Sequence, residues 1–384
     1  MDNVDFADRK KVAAWFKTQK PHVCGQITSR AALRVFANIS QFTGTEFARL
    51  ALPSFRAVVT SAVRGSGRSA DLDGNISQSA TIAVADRLAA NSNFTAALTA
   101  ADSAAYSAPV SAAISARSIE CSITSARTAD SFGPIFEAIS ATRSALQEDK
   151  ACLNHGTRMG ALWPEDGVPP ALFANHKRFL ELLDQDADWS FWRDWYIAMW
   201  DGTFEDWDLA HEVAKIENEV WEGEDALAKV AGEIGRIETR RALEKEITDL
   251  KTRLKQSQAI EPSPNRHHNN PPPDALIEIE RDVSKEIVLI WEHLDQVEEE
   301  IAKPVPDPSK LDAVAQALWD ITARIAAYCG SLADAALQES ARVVGKTGTQ
   351  AGIVVFTTTT AAQNEGVKTV AKAIWEFAKT LTMG

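Results

Sequence analysis

Cysteine is scarce. The four residues, Cys24, Cys121, Cys152 and Cys329, stand far apart and form no C-x-x-C pair. That spacing builds neither a zinc knuckle nor a disulfide framework. Long hydrophobic runs are missing as well. The stretch TGTQAGIVVFTTTTAAQN near the C-terminal end has the length of a membrane span, but its many Thr, Gln and Gly residues argue against one. The opening MDNVDFADRKK is acidic and lacks an apolar segment, so it gives no secretory signal. Isolated thiols without a signal fit a reducing cytoplasm.

Positive charge is also short. Lys and Arg number 40 against 53 Asp and Glu, a net of −13. The deficit is uneven: residues 1–150 carry about +3 and the remainder about −16. An acidic C-terminal half repels nucleic acid and anionic membrane at long range, so no nucleic-acid partner is expected. What is present suffices for two or three folded units, with 45% hydrophobic residues in 384.

Motifs for chemistry are incomplete. Gly65-x-Gly67-x-x-Ala70 has the form of a dinucleotide fingerprint, but no helix is signalled after it. Asp71 and Asp73 imitate a calcium loop, yet Gly74 comes early and position 82 is Ile. His211-Glu212 is followed by Lys215 where a zinc protease needs histidine, and Gly345-Lys346-Thr347 lacks the leading glycine of a phosphate loop. His267-His268 has no second ligand cluster. The reading is non-enzymatic, with no catalytic, cofactor or metal residue assigned.

Residues 1–64 read as short helices broken at Pro21, Gly44 and Pro53, with Ser29 and Thr45 as N-caps. Arg30 and Arg34, one turn apart before the Gly44 turn, imitate a helix-turn-helix, a pattern that two ordinary short helices also produce. Residues 80–145 hold 20 alanines and 11 serines, clustered every three or four positions, which predicts closely packed helices. GTRMGALWPEDGVPP, residues 156–170, marks a boundary. Pro170 then starts a helix, Asp186 or Asp188 caps the next, and Gly202 ends it. Thr203 and Asp206 form a T-x-x-D capping box for the one after.

DWSFWRDWYIAMWDG, residues 188–202, is the densest signal. At 100° per residue Trp189, Trp192, Trp195, Tyr196, Met199 and Trp200 join Phe191 and Ala198 in an apolar arc of roughly 200°, twice that of a surface helix. Covering each such ring is worth roughly 2–3 kcal/mol, so this face is expected to be buried by the chain, a partner or a stacking ligand. A heptad seam follows: Val213, Ile216, Val220, Gly223, Leu227, Val230, Ile234 and Ile237, resuming after a six-residue step at Leu243, Ile247, Leu250 and Leu254. Beyond the Pro-rich linker 260–275, further seams run through Ile287–Ile301 and Leu311–Ala335. IVVFTTTT at 353–360 fits either a short strand or a buried helix, and residues 367–381 form a last amphipathic helix.

Five stretches together carry a resemblance: Ala31-Ala32-Leu33-Arg34, Leu52-Pro53-Ser54-Phe55-Arg56, Leu162-Trp163-Pro164, Asp188 to Tyr196, and His268 to Pro272. In this order they resemble a group of uncharacterised bacterial proteins over most of residues 25–275, although serine replaces many of that group's Ala/Asp/Arg repeats. The resemblance implies a bacterial origin and a folded domain at 150–260, and it brings no activity.

The expected architecture is therefore all-α and elongated, with coiled-coil-like long helices and at most one short strand. The divisions are 1–155, a Trp-rich domain at 156–259, the linker 260–275, and a helical region at 276–384. The expected role is assembly with another copy or a protein partner. The alternative is a cytoplasmic effector of antiphage-defence or toxin type, whose contact with membrane runs through residues 311–384.

Overall fold

The computed structural model describes residues 6, 8–67, 135–155, 159–164, 167–258, 274–342 and 348–382. Most of the Ala/Ser-rich tract and the HHNNPPP linker lie outside them. Everything regular among the described residues is helical. The α-helices are α1 (Arg9–Phe16), α2 (Pro21–Phe36), α3 (Gly44–Gly65), α4 (Ile135–His155), α5 (Pro170–Leu183), α6 (Ser190–Trp200), α7 (Trp207–Ala214), α8 (Ala226–Gln258), α9 (Asp274–Ile301), α10 (Pro308–Arg342) and α11 (Gly348–Thr382). The all-α class is thus established, and residues 353–360 are helix within α11 rather than strand.

Contacts divide the chain into two compact units, Met1–Ile234 and Gly235–Gly384. The division falls inside α8 rather than at 156 or 260. Residues 160–162 are bonded to α2, and the Trp-rich helix shares its core with α2 and α3, so the N-terminal helices and the Trp-rich segment form one unit.

Several local signals act as expected. Pro170 opens α5 and Gly202 follows α6 with φ +69°, whereas Asp186 caps a 3-10 turn at Ala187–Trp189, accepting from Asp188 N at 3.0 Å, and α6 itself has no side-chain cap. Others act differently. Asp206, not Thr203, caps α7 by accepting from Leu209 N at 3.0 Å, while Thr203 Oγ1 turns back to the Ala198 carbonyl. Ser29 and Thr45 lie inside helices, and Pro53 does not stop α3. A proline inside a helix forfeits a backbone bond, a cost of about 3 kcal/mol. Here all of residues 50–65 are buried, so tertiary packing on every side holds the helix through it.

The seam at 213–237 is likewise not one helix. α7 ends at Ala214, residues 218–221 form a 3-10 turn, Gly223 adopts φ +98°, and α8 starts at Ala226. Apolar spacing over this span records two short elements and the start of α8, with the first break at 215–217 and Gly223 in the second.

The second unit is built on the later seams. Leu243, Ile247, Leu250 and Leu254 of α8 share one core with Ile290, Leu294, Val297 and Ile301 of α9, Leu311, Leu318, Ile321 and Ile325 of α10, and Val367, Val370, Ile374 and Phe377 of α11. Ion pairs cross its surface. Lys251 Nζ reaches Asp295 and Glu298 at 2.6 and 2.7 Å, and Arg324 makes two bonds to Glu286 at 2.7 and 2.8 Å. In each pair one member, Lys251 or Glu286, is largely covered while its partner stands at the surface, so solvent still screens the pairing and the aliphatic seam carries most of the stability. Leu294→Ala is expected to cost this unit about 2–5 kcal/mol in urea unfolding. Val288→Ser on the opposite side of α9, where Val288 is 54% exposed, is expected to shift it by less than about 0.5 kcal/mol.

Candidate functional site

The first unit concentrates the buried polar chemistry. Residues Arg30 and Arg34 project from the same face of α2, one turn apart, beside the apolar Ile27, Ala31 and Leu33. Instead of meeting phosphates, both are buried, 6% and 1% exposed, which removes the helix-turn-helix reading. Arg30 Nε donates to Asp149 Oδ1 of α4 at 2.8 Å. Its Nη1 and Nη2 donate to the carbonyls of Gly160 and Ala161 at 3.0 and 2.6 Å. Arg34 Nε takes the next carbonyl, Leu162, at 2.7 Å. Arg34 Nη2 lies 2.7 Å from Asp149 Oδ2 as an ion pair without the alignment of a hydrogen bond.

Two guanidinium groups thus hold three consecutive carbonyls, with one carboxylate between them. A segment that lacks regular structure is fixed by side-chain donors where a sheet or helix would use backbone ones. On its other side Leu162 N donates to the Trp200 carbonyl at 2.8 Å, at the end of α6. Gly202 makes this approach feasible: a Cβ there would stand 2.2 Å from the Gly160 carbonyl carbon. Burial pushes the Arg34 guanidinium below its ordinary value, and Asp149 acts in the opposite direction.

A third buried arginine repeats the device. Arg56 Nη2 donates to the Ile216 carbonyl at 3.3 Å and to Asn218 Oδ1 at 2.6 Å, and the guanidinium lies 4.7 Å from the Trp221 ring centroid. Trp221 Nε1 donates to the same Ile216 carbonyl at 3.2 Å. Burial lowers Arg56 to about 10, with Glu222, Glu217 and Glu219 opposing the fall, so it is charged at neutral pH.

The tryptophan face lies against these elements. Trp189, Trp192, Trp195, Tyr196 and Met199 are buried within the chain, and Trp200 is half-buried. Phe55 of α3 is the hub: its centroid stacks 4.9 Å from Trp192 and lies 6.1 Å from Trp189 and 6.2 Å from Trp195. Phe179 of α5 meets Tyr196 edge-on at 5.0 Å. Each such pair adds about 0.5–1.5 kcal/mol beyond area burial. Of the seam residues, Val213, Ile216, Val230 and Ile234 are buried, whereas Val220, Leu227 and Ile237 are only half-buried.

His176 of α5 lies between rings. Its imidazole stacks 3.9 Å from Trp200 and parallel to Phe173 at 6.3 Å, and Nδ1 shares a 3.3 Å hydrogen bond with the Tyr196 hydroxyl. Burial lowers it to about 4, while Asp201 pulls upward and Lys177 adds to the fall. Burial also lifts the Cys24 thiol to about 11, far from a nucleophile's range. Among the described residues no group of three or more His, Cys, Asp or Glu could hold a metal ion.

Sequence reasoning placed the tryptophans on a buried face, took Arg30 and Arg34 for an imitation of a helix-turn-helix, and gave no role to Arg56, Asp149 or His176. The available signal was the setting of Arg30 and Arg34 on a helix face of Ile27, Ala31 and Leu33. Comparison with protein families, curated proteins and solved structures finds no match to this chain.

Two outcomes follow from this geometry. Asp149→Asn leaves two guanidiniums buried without a counter-charge and is expected to destabilise the first unit by about 3–5 kcal/mol, read by chemical unfolding. His176 carries its charge more readily in the unfolded chain, ordinary value 6.5, than in the folded one at about 4. Its contribution is therefore intact above about 6.5 and lost as pH falls toward 4. The pH slope of the unfolding midpoint in that window should flatten in His176→Phe.

Proposed function

We propose that the protein is a non-enzymatic helical interaction protein that acts by assembling with a second copy or a protein partner. The observation that supports this reading is the use made of its reactive groups. The buried arginines are bonded to backbone carbonyls and a carboxylate, His176 is stacked among rings, and Cys24 is a buried thiol. These groups with catalytic potential hold helices together. The long helices α8–α11 supply the extended faces through which such proteins associate. The companion proposals are a cytoplasmic setting, a bacterial source and coiled-coil-like pairing.

The second reading, an effector whose residues 311–384 act on membrane, meets a specific cost. Leu311, Leu318, Val367, Val370, Ile374 and Phe377 are buried in the four-helix core, so contact with lipid would require α10 and α11 to leave it. No helix among the described residues is long and apolar enough to cross a membrane.

Light scattering coupled to size exclusion tests the first reading. Over a hundredfold range of concentration the mass is expected to rise above the 41.8 kDa of one chain, or to do so when a partner is added. A mass fixed at one chain throughout, together with dye release from anionic vesicles by the full-length protein, would transfer support to the effector.

A further inference from the structure

The geometry points to a hinge within α8, at residues 231–242: a stretch of helix that opens and bends while the turns on either side stay folded. Four observations coincide there. First, the boundary between the two compact units falls at Ile234 and Gly235, inside an unbroken helix of 33 residues. Second, the buried seam lapses. Val230 and Ile234 are covered, and Leu243, Ile247, Leu250 and Leu254 are covered, but no residue from 235 to 242 is buried. A helix gains most of its stability from a packed face, and these eight residues, six of them half-buried, add no fully covered side chain to one.

Third, Gly232 and Gly235 both lie in this stretch, and a Cβ added to either would meet nothing within 4 Å. Neither glycine is required by close packing or by a left-handed backbone, yet each weakens a helix interior relative to alanine. Glycine within a helix is also a recognised origin of sharp bends. Fourth, the six-residue step in the apolar pattern between Ile237 and Leu243 falls in the same place, so the seam changes face within this stretch.

Hydrogen exchange and an intrahelical distance test the proposal. Amides of 235–242 should exchange faster than those of 243–254. In Gly232→Ala/Gly235→Ala the exchange of 235–242 should slow roughly 25-fold, about fivefold for each glycine. Labels on azide-bearing residues introduced at the exposed Lys229 and Asp249 avoid the four cysteines. A straight helix places these sites about 30 Å apart. Electron-spin distance measurements should give a broad distribution with a shorter tail, narrowing in the double-alanine variant. Equal protection of the two stretches, no slowing in the variant, or one narrow peak at the straight-helix distance in the unmodified chain would overturn the hinge.

Discussion

Asp149 is the carboxylate through which two guanidinium groups come to lie inside the first unit. An isolated buried cation is intolerable at domain stabilities of about 5–15 kcal/mol, and pairing removes most of that penalty. Once paired, Arg30 and Arg34 still carry N–H groups that require acceptors. The three carbonyls of residues 160–162 accept from three of these nitrogens and are themselves fixed by them, and the Ala145 carbonyl accepts from Arg34 Nη2. Charge compensation and backbone satisfaction are therefore one problem with one solution. The path of residues 160–163 is set by helix α2, and it closes on the end of α6 through Leu162 and Trp200.

That arrangement explains how so much aromatic surface is contained. The rings of α6 need cover on both flanks, and α3 and α5 provide it through Phe55 and Phe179. The pinned 160–163 segment adds Trp163, which lies 6.4 Å from Trp200. Polar clamp and aromatic core are thus interdependent: without the clamp the segment has no reason to approach, and without it Trp200 loses a neighbour. The second unit solves its packing by simpler means, with aliphatic seams of regular period and charged pairs outside.

Much of this was legible in the sequence, and the pattern of what was not is instructive. Periodicity located α8 to α11 because aliphatic side chains at three- and four-residue spacing have little use except burial between helices. The Trp192 and Trp195 face was legible for the same reason. The arginine clamp was not, because charge is read by default as surface, and only the long-range presence of Asp149 makes Arg30 and Arg34 affordable inside. Pro53 misled in the opposite direction. Its local preference for a break is outweighed by burial along α3, which local sequence does not display. The split of the 213–237 seam was half legible, through Gly223. Spacing alone could not show that Val213 lies in the last turn of one helix, Ile216 in the connection after it and Val220 in a 3-10 turn.

The Arg56 contacts have a bearing on biosynthesis. The acceptor at Ile216 lies 160 positions further along the chain, and that at Asn218 lies 162. Synthesis proceeds from the N-terminus at about 5–20 residues per second, so α3 emerges many seconds before its guanidinium can be matched. During that interval the first helices expose aromatic surface and an unpaired cation that the finished unit conceals. The order of translation therefore makes the N-terminal helices dependent on a late-arriving turn, and a ribosome stalled before residue 216 would hold a nascent chain for chaperones to shield.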